Sequence, residues 1–487
     1  MSVRPSFHIK TLVIRRNCWR IYPLALMIPE RLSWLVAPDS ASSRLGERFS
    51  DAGFELYLVG GSLRDALLER VAEDLDFATN ARPADIKRIV DPLGSVFTMG
   101  EQYGTIGLHV EAHRFEITTF RSEVYDDGSR KPRVEFGDDL ETDLSRRDFS
   151  INAMALDIGT GQIIDPFGGL VDLARQELRT PLAPEIAFSD DPLRMLRLYR
   201  FSATLGFECD PDAERAAQEM SARISIVSAE RIRDELSKLI VGDFPARGLR
   251  GVVRAGLADS FLPELVTLSE QQDPFHRHKD VWEHTLAVVE KTDPELRIRM
   301  AALLHDIGKP DTKEFGAGGV TFHHHEVVGA RMARRRLREL RYPKQFVEEV
   351  GQLVFLHLRP HTFKMGWTDS AVRRYARDAG DLLDDLNQLV RSDVTTANAK
   401  RAATISRRID ELEERIAVLA EKEELDKLRA PIDGNDVMAH LGIGPGKAVG
   451  QIMSMLLEHR IEHGPYDPAV AYSLVDEWAA SQGLNDA

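Results

Sequence analysis

The sequence predicts an α+β multidomain chain, with a small mixed β-sheet head followed by mostly α-helical domains, and three observations predict it. A length of 487 residues exceeds what one hydrophobic core serves, and about 150 residues per domain points to several modules. From about Glu55 short β-type runs alternate with helical ones. Further on, helical periodicity takes over and becomes strongest after Asp393. With 43% hydrophobic and 29% charged residues and no uninterrupted apolar run of about 18, no membrane span is expected. Cys18 and Cys209 alone exclude a disulfide framework or a four-cysteine zinc site and fit a reducing cytoplasm. A formal charge of −15 excludes a protein that coats nucleic acid through bulk positive charge. It leaves room for an enzyme that holds one polynucleotide end on a local basic stripe.

Taken in order, the first thirty residues carry Arg4, Lys10, Arg15, Arg16 and Arg20 before the first acid, Glu30. They predict a leader over 1–35, disordered or lying upstream of a true start at Met27. Leu56-Tyr57-Leu58-Val59 then reads as a buried strand running into a Gly60-Gly61-Ser62 turn, with a helix over Leu63 to Leu68. Such a junction aims unpaired backbone N–H groups at one point, and glycine admits a phosphate close to the main chain. By itself a Gly-Gly pair is a tight turn. Asp74-Leu75-Asp76-Phe77-Ala78-Thr79 supplies more, because a strand here puts both carboxylates on one face. Two hard oxygen ligands beyond a phosphate cradle suit two Mg²⁺ ions, one at an attacking hydroxyl and one at a triphosphate. Glu116, in the strand-like Phe115 to Phe120, is a candidate third carboxylate.

Gly60-Gly61-Ser62-Leu63-Arg64-Asp65, the Asp74–Thr79 run and Arg146-Arg147-Asp148-Phe149-Ser150-Ile151-Asn152-Ala153 follow one another in an order that resembles the class II tRNA nucleotidyltransferase and bacterial poly(A) polymerase family. The family has valine where Leu63 stands. The resemblance implies a polymerase-β-like nucleotidyltransferase head over 36–180 and a helical neck over 181–268. It implies metals on Asp74 and Asp76, a triphosphate at Gly60, Gly61 and Arg64, and a ribose 2′-hydroxyl on Asp148 beside Arg147. Asp190-Asp191-Pro192-Leu193-Arg194 resembles the family's base-selecting motif, with Asp190 where glutamate is usual. It is expected to open a helix, with Asp191 and Arg194 three apart on one face as an acceptor beside a donor. Cytosine and adenine offer an amino donor next to a ring acceptor, whereas uracil and guanine reverse that order. Arg197, on the same helix, joins the nucleotide-binding set, and the Ser228 to Leu236 run resembles the family's neck helices. The implied activity is addition of C, C and A to a tRNA 3′ end from CTP and ATP, with poly(A) addition as the alternative.

Trp282-Glu283-His284 and Leu303-Leu304-His305-Asp306 place imidazoles and a carboxylate in apolar helical stretches, where burial is costly unless the groups are paired or bind metal. With Asp393 they resemble the HD phosphohydrolase superfamily, which implies such a domain over 269–400 and a divalent transition metal or Mg²⁺. His325 and His357 match positions of further ligands, while His323 and His324 flank the cluster, since three adjacent histidines cannot all face one centre. The arginine run from Arg331 to Arg341 reads as a solvated helix surface. Ile405, Ile409, Leu412, Ile416 and Leu419 form a short heptad-like seam expected to pack in a core. Residues 401–487, including Asp433 to Asp436 and Leu441 to Lys447, resemble the family's helical RNA-binding body. The HD motifs favour CCA addition, because poly(A) polymerases of this class commonly lack them; in the second alternative the HD unit is the working enzyme and the head only binds RNA.

Overall fold

The structure is a computed structural model that describes residues 30–70, 74–98, 100–110, 113–124, 133–137, 139–270, 280–316, 319–362, 367–394, 399–423 and 429–482. Residues 1–29 of the expected leader and the start of the third module near Asp273 lie outside the described residues, whereas Leu32 and Leu35, at the end of the expected leader, are fully buried. The chain divides into two compact units, one running up to Leu144 and including Met154–Pro166, the other comprising Ser145–Ala153 and everything from Phe167.

The first unit is built from α1 (Ala41–Asp51), β1 (Leu56–Val59), α2 (Gly60–Leu67), β2 (Asp74–Thr79), α3 (Pro83–Val90), β3 (Ser95–Phe97), β4 (Thr105–Val110), β5 (His113–Thr119), the hairpin β6 (Arg121–Val124) and β7 (Arg133–Phe136), then β8 (Ala155–Asp157) and β9 (Ile163–Ile164). α4 (Leu140–Ser145) ends at the unit boundary. Seven strands form one mixed sheet in the order β3-β4-β5-β2-β1-β8-β9, in which β2 and β5 are parallel and the other pairs antiparallel. β1 is buried along its whole length, which its unbroken apolar run requires of a central strand. In β2 the alternation is kept: Leu75 and Phe77 are buried, Phe77 edge-on to Phe115 of β5 at 5.4 Å, while Asp74 and Asp76 point the other way.

The second unit begins with α5 (Gly169–Arg175), a short parallel pair β10 (Glu177–Leu178) and β11 (Glu208–Cys209), α6 (Pro184–Asp190), α7 (Leu193–Leu205), α8 (Pro211–Glu219), α9 (Ala229–Ile240), α10 (Pro245–Arg254), α11 (Ala258–Phe261) and α12 (Pro263–Ser269). α13 (Val281–Lys291), α14 (Leu296–Leu304), the hairpin β12 (Lys313–Gly316) and β13 (Gly319–Phe322), α15 (His325–Glu339), α16 (Lys344–Leu356), α17 (Asp369–Ala379) and α18 (Leu383–Asp393) follow. α19 (Ala399–Glu423), α20 (Gly434–Leu441), α21 (Lys447–His463) and α22 (Pro468–Ser481) complete it. Asp210, Ser228, Asp280 and Asp433 cap α8, α9, α13 and α20 through their side chains, each contributing about 1 kcal/mol. Of the seam, Ile409, Leu412, Ile416 and Leu419 are buried and Ile405 is half-buried, and α19 packs on α17 and α18 of its own chain. Arg334 and Arg338 both pair with Glu348, and Arg336 with Glu264 and Glu339, so these members of the arginine run are matched by acids. Among the described residues no helix is long and apolar enough to cross a membrane.

Candidate functional site

In the head, the chain turns from β1 directly into α2. Gly60 makes the corner alone at φ 68°, so the helix starts at Gly60 and not after a three-residue turn at Leu63. Ser62, buried in the first turn, ties the helix to β2: its hydroxyl donates to the Asp74 carbonyl at 3.1 Å and accepts from the Asp76 N–H at 2.9 Å. Those two bonds set the start of the strand that carries both acids. The parallel register places Asp76 opposite Glu116 and Asp74 opposite Arg114, so three carboxylates share one face of two adjoining strands about 4.8 Å apart. Glu116 is paired with Arg114 at 2.7 Å. Arg64 is buried on α2, held by both oxygens of Asp65 at 2.9 and 2.7 Å, with one guanidinium nitrogen 3.5 Å from where a side chain on Gly61 would begin. The donor set of carboxylate oxygens, from the exposed Asp74 and the half-buried Asp76 and Glu116, suits Mg²⁺.

In the second unit, Asp148 is the centre of a buried ionic group. One oxygen accepts from the Asn152 amide at 2.8 Å and the Phe149 N–H at 2.9 Å; the other takes Arg197 at 2.9 and 2.5 Å. Arg197 also reaches Glu235 at 3.0 Å, and Arg200 joins Glu235 at 2.9 Å while lying over the Phe201 ring. Burial alone would raise the Asp148 carboxyl, but the Arg197 charge and the hydrogen bonds from Asn152 and Arg197 outweigh it and hold it below the usual carboxylate range. Arg147 lies half-buried beside it.

Asp191 stands just before α7, which the motif opens as the sequence predicts, and not on the helix face that Arg194 occupies. It occupies an extended link at φ −140°, ψ 101° between α6 and α7, because the proline that follows bars its residue from the helical region. Its Oδ1 accepts from the Leu193 N–H at 3.1 Å, and its Oδ2 pairs with Arg231 at 2.6 Å. Arg194, in the first turn of α7, gives its guanidinium to the carbonyls of Ala187, at 3.2 Å, and Arg146. The two expected members of one helix face are therefore close in sequence but differently anchored.

The HD residues converge. His284 comes from α13, His305 and Asp306 from the end of α14, His325 from the first residue of α15, His357 from the end of α16 and Asp393 from the last residue of α18. His305, His325 and His357 each bond through Nδ1 to a carbonyl three residues earlier, Ala302, Phe322 and Val354, at 2.6 to 2.8 Å, which turns each Nε2 inward. Ligand atoms of His284, His305 and Asp393 form one cluster and those of Asp306, His325 and His357 a second, each within 4.8 Å. The Asp306 Oδ2 lies 3.1 Å from His305 and its Oδ1 3.3 Å from His325, so one carboxylate faces both clusters. The buried Nε2 atoms of His325 and His357 make no hydrogen bond, and a cation is the partner such atoms fit. Burial, then the neighbouring His305, pushes His357 down to about 3, leaving it in the neutral form that binds metal. Lys309 reaches the Asp306 Oδ2 at 2.5 Å. His323 and His324 are exposed and stay outside the cluster.

Matches to known protein families cover three stretches of the chain. A family model described as the poly A polymerase head domain matches residues 56–179, one described as a probable RNA and SrmB-binding site of polymerase A matches 206–268, and the HD domain matches 281–398. The A-adding tRNA nucleotidyltransferase of Deinococcus radiodurans is 34% identical over 439 residues, covering 87% of this chain and 95% of its own. The chain belongs to the tRNA nucleotidyltransferase family. The CCA-adding enzyme of Streptococcus gordonii is 43% identical over 220 residues, 45% of this chain and 54% of that relative. The crystal structure of the Bacillus stearothermophilus CCA-adding enzyme in complex with CTP superposes with a TM-score of 0.67 at 25% identity, covering 94% of this chain and all of that one. Membership agrees with the motifs that carried the resemblance.

Several residues that build these sites were not singled out by the sequence. Glu235 had a readable signal, an acid at helical spacing between Ile232 and Leu239 on the apolar face of α9. Asn152 stands one turn beyond Asp148, and Lys309 three residues beyond Asp306. Ser62 and Arg231 had none, since their partners are 12 to 40 residues away.

Proposed function

We propose that this enzyme extends the 3′ end of tRNA with C, C and A from CTP and ATP, and that its HD part is a separate phosphoesterase. The observation that carries the first statement is the shared face of Asp74, Asp76 and Glu116 beside the glycine-started helix α2. Mg²⁺ held by Asp74 and Asp76 would supply charge neutralisation of the triphosphate and activation of the RNA 3′-hydroxyl. Gly60, Gly61 and Arg64 offer backbone N–H groups and a buried cation to the phosphates. Arg147 and Asp148 serve the ribose, with Asp148 accepting from a 2′-hydroxyl and Arg197 fixing its position. Asp191 and Arg194 read the base edge, accepting from the amino group of C or A and donating to the ring nitrogen. Residues 181–268 act as the neck, 269–400 as the HD domain and 401–487 as an RNA-binding body.

In the HD part the mixed imidazole and carboxylate donors suit a divalent transition metal as well as Mg²⁺, and such ions would supply Lewis acidity and an activated water for phosphoester hydrolysis. Lys309, which pairs with Asp306, would be the cation for a phosphate oxygen. A cytoplasmic location fits a tRNA substrate and a chain with two cysteines.

A second product is suggested by the Deinococcus radiodurans relative, whose name is A-adding tRNA nucleotidyltransferase. Offering tRNA that ends before CCA, and tRNA that ends in CC, with Mg²⁺ and each single nucleotide separates the cases. Ordered C, C and A on the first substrate supports the proposal; A on the second substrate only, or long A tracts, overturns it in favour of A addition or poly(A) addition.

A further inference from the structure

Asp191 and Arg194 carry opposite charges three residues apart, a spacing at which such side chains readily pair with each other. Here they do not. Arg231, from the first turn of α9, takes the Asp191 Oδ2 at 2.6 Å, and the Leu193 N–H takes Oδ1 at 3.1 Å. The carbonyls of Ala187 and Arg146 take the Arg194 guanidinium. Each member of the pair is thus engaged by a third group. A carboxylate oxygen has two acceptor directions, so one on each oxygen of Asp191 stays open.

We propose that Arg231 is a specificity-positioning residue of the nucleotidyl-transfer site: it holds the Asp191 carboxylate out of reach of Arg194, so that acceptor and donor both remain presented to the incoming base. This rests on the base-selecting role proposed above for Asp191 and Arg194. Without the Arg231 charge, Arg194, three residues along the chain, is left to pair with the Asp191 carboxylate, and the template would close into an internal ion pair. Both parts of the discrimination then weaken together. The acceptor no longer repels the carbonyl of uracil or guanine, and the donor no longer repels their ring N–H. Arg231 is itself half exposed, with 53% of its side chain accessible against 24% for Asp191, so it contributes orientation and not core packing.

The test measures kcat and KM for CTP, ATP and UTP on tRNA ending before CCA, with the full-length protein and Mg²⁺. Arg231→Gln is expected to lower the CTP-over-UTP ratio of kcat/KM roughly tenfold, the scale of one good polar base contact, with KM for CTP rising more than kcat falls. Arg231→Lys, which keeps a point charge, should recover part of that ratio. In an Asp191→Asn background Arg231→Gln should have no further effect on it, because the two act as one unit. Unfolding midpoints of the single variants should match the parent. If Asp191→Ala destroys the ratio but Arg231→Gln leaves it intact, the positioning role is overturned. A rise confined to the KM for tRNA would make Arg231 an RNA contact and overturn it as well. If Asp191→Ala leaves the ratio unchanged, the base-selecting role falls, and this proposal with it.

Discussion

Glu235→Gln tests the buried ionic group of the neck. Glu235 is 5% exposed and accepts from both Arg197, at 3.0 Å, and Arg200, at 2.9 Å, while Arg197 also binds Asp148. Two carboxylates therefore balance two guanidiniums. At an effective dielectric of about 20, a unit pair about 4 Å apart attracts by about 4 kcal/mol, and the substitution removes that attraction at two places while leaving an amide that accepts one bond. Removing one partner of a buried pair costs about 3 kcal/mol or somewhat more. Because the unit has many helices and need not unfold as one, the measurement is native-state hydrogen exchange of α7 and α9. Protection there is expected to fall about a hundredfold, the equivalent of near 3 kcal/mol. Glu283→Gln is the control: its pair with Arg250 is about half exposed on both sides and should contribute less than about 1 kcal/mol. Protection of α7 and α9 unchanged in Glu235→Gln, or changed no more than in the control, would refute the reasoning.

Ser62→Ala removes both bonds that join α2 to β2 and should destabilise the head by about 1–2 kcal/mol and slow nucleotide addition; parental values for both would show that this tie is idle. The Asp148 carboxyl lies below its ordinary value, so it contributes stability above about pH 4 that is lost as pH falls from there toward the folded value. Acid unfolding of Asp148→Asn should lack that dependence, and an identical acid profile would contradict it. His357→Ala should lower bound divalent metal by about one ion per chain in elemental analysis and abolish phosphoester hydrolysis while nucleotide addition persists; unchanged metal content would refute the second cluster.

Much of the site was legible because local pattern and chemistry agreed. Asp74-Leu75-Asp76-Phe77 alternates acid with apolar side chain, so the strand period alone puts both carboxylates on one face, and the burial of Leu75 and Phe77 matches. His305 and Asp306 end an apolar helix in which an unpartnered charge would be costly, and their partners from α13, α15 and α18 converge as expected. What was not legible depends on distant partners or on a stronger local rule. The start of α7 at the Pro192 motif is legible, whereas the expected common face of Asp191 and Arg194 is not realised, because Pro192 holds the residue before it in an extended conformation. The corner between β1 and α2 is shorter than the Gly60-Gly61-Ser62 pattern implies, because one residue at positive φ suffices for it. Ser62 and Arg231 are ordinary residues in sequence, and only tertiary packing gives them the Asp74–Asp76 strand and the Asp191 carboxylate as partners.

The central claim is that the β2 carboxylates serve nucleotidyl transfer and the histidine cluster does not. Asp74→Ala, assayed for CMP and AMP incorporation into tRNA lacking its terminal CCA and in parallel for phosphoester hydrolysis, tests it most directly. The expected result is loss of incorporation by about a thousandfold or more with hydrolysis at the parental rate. Incorporation at the parental rate would contradict it.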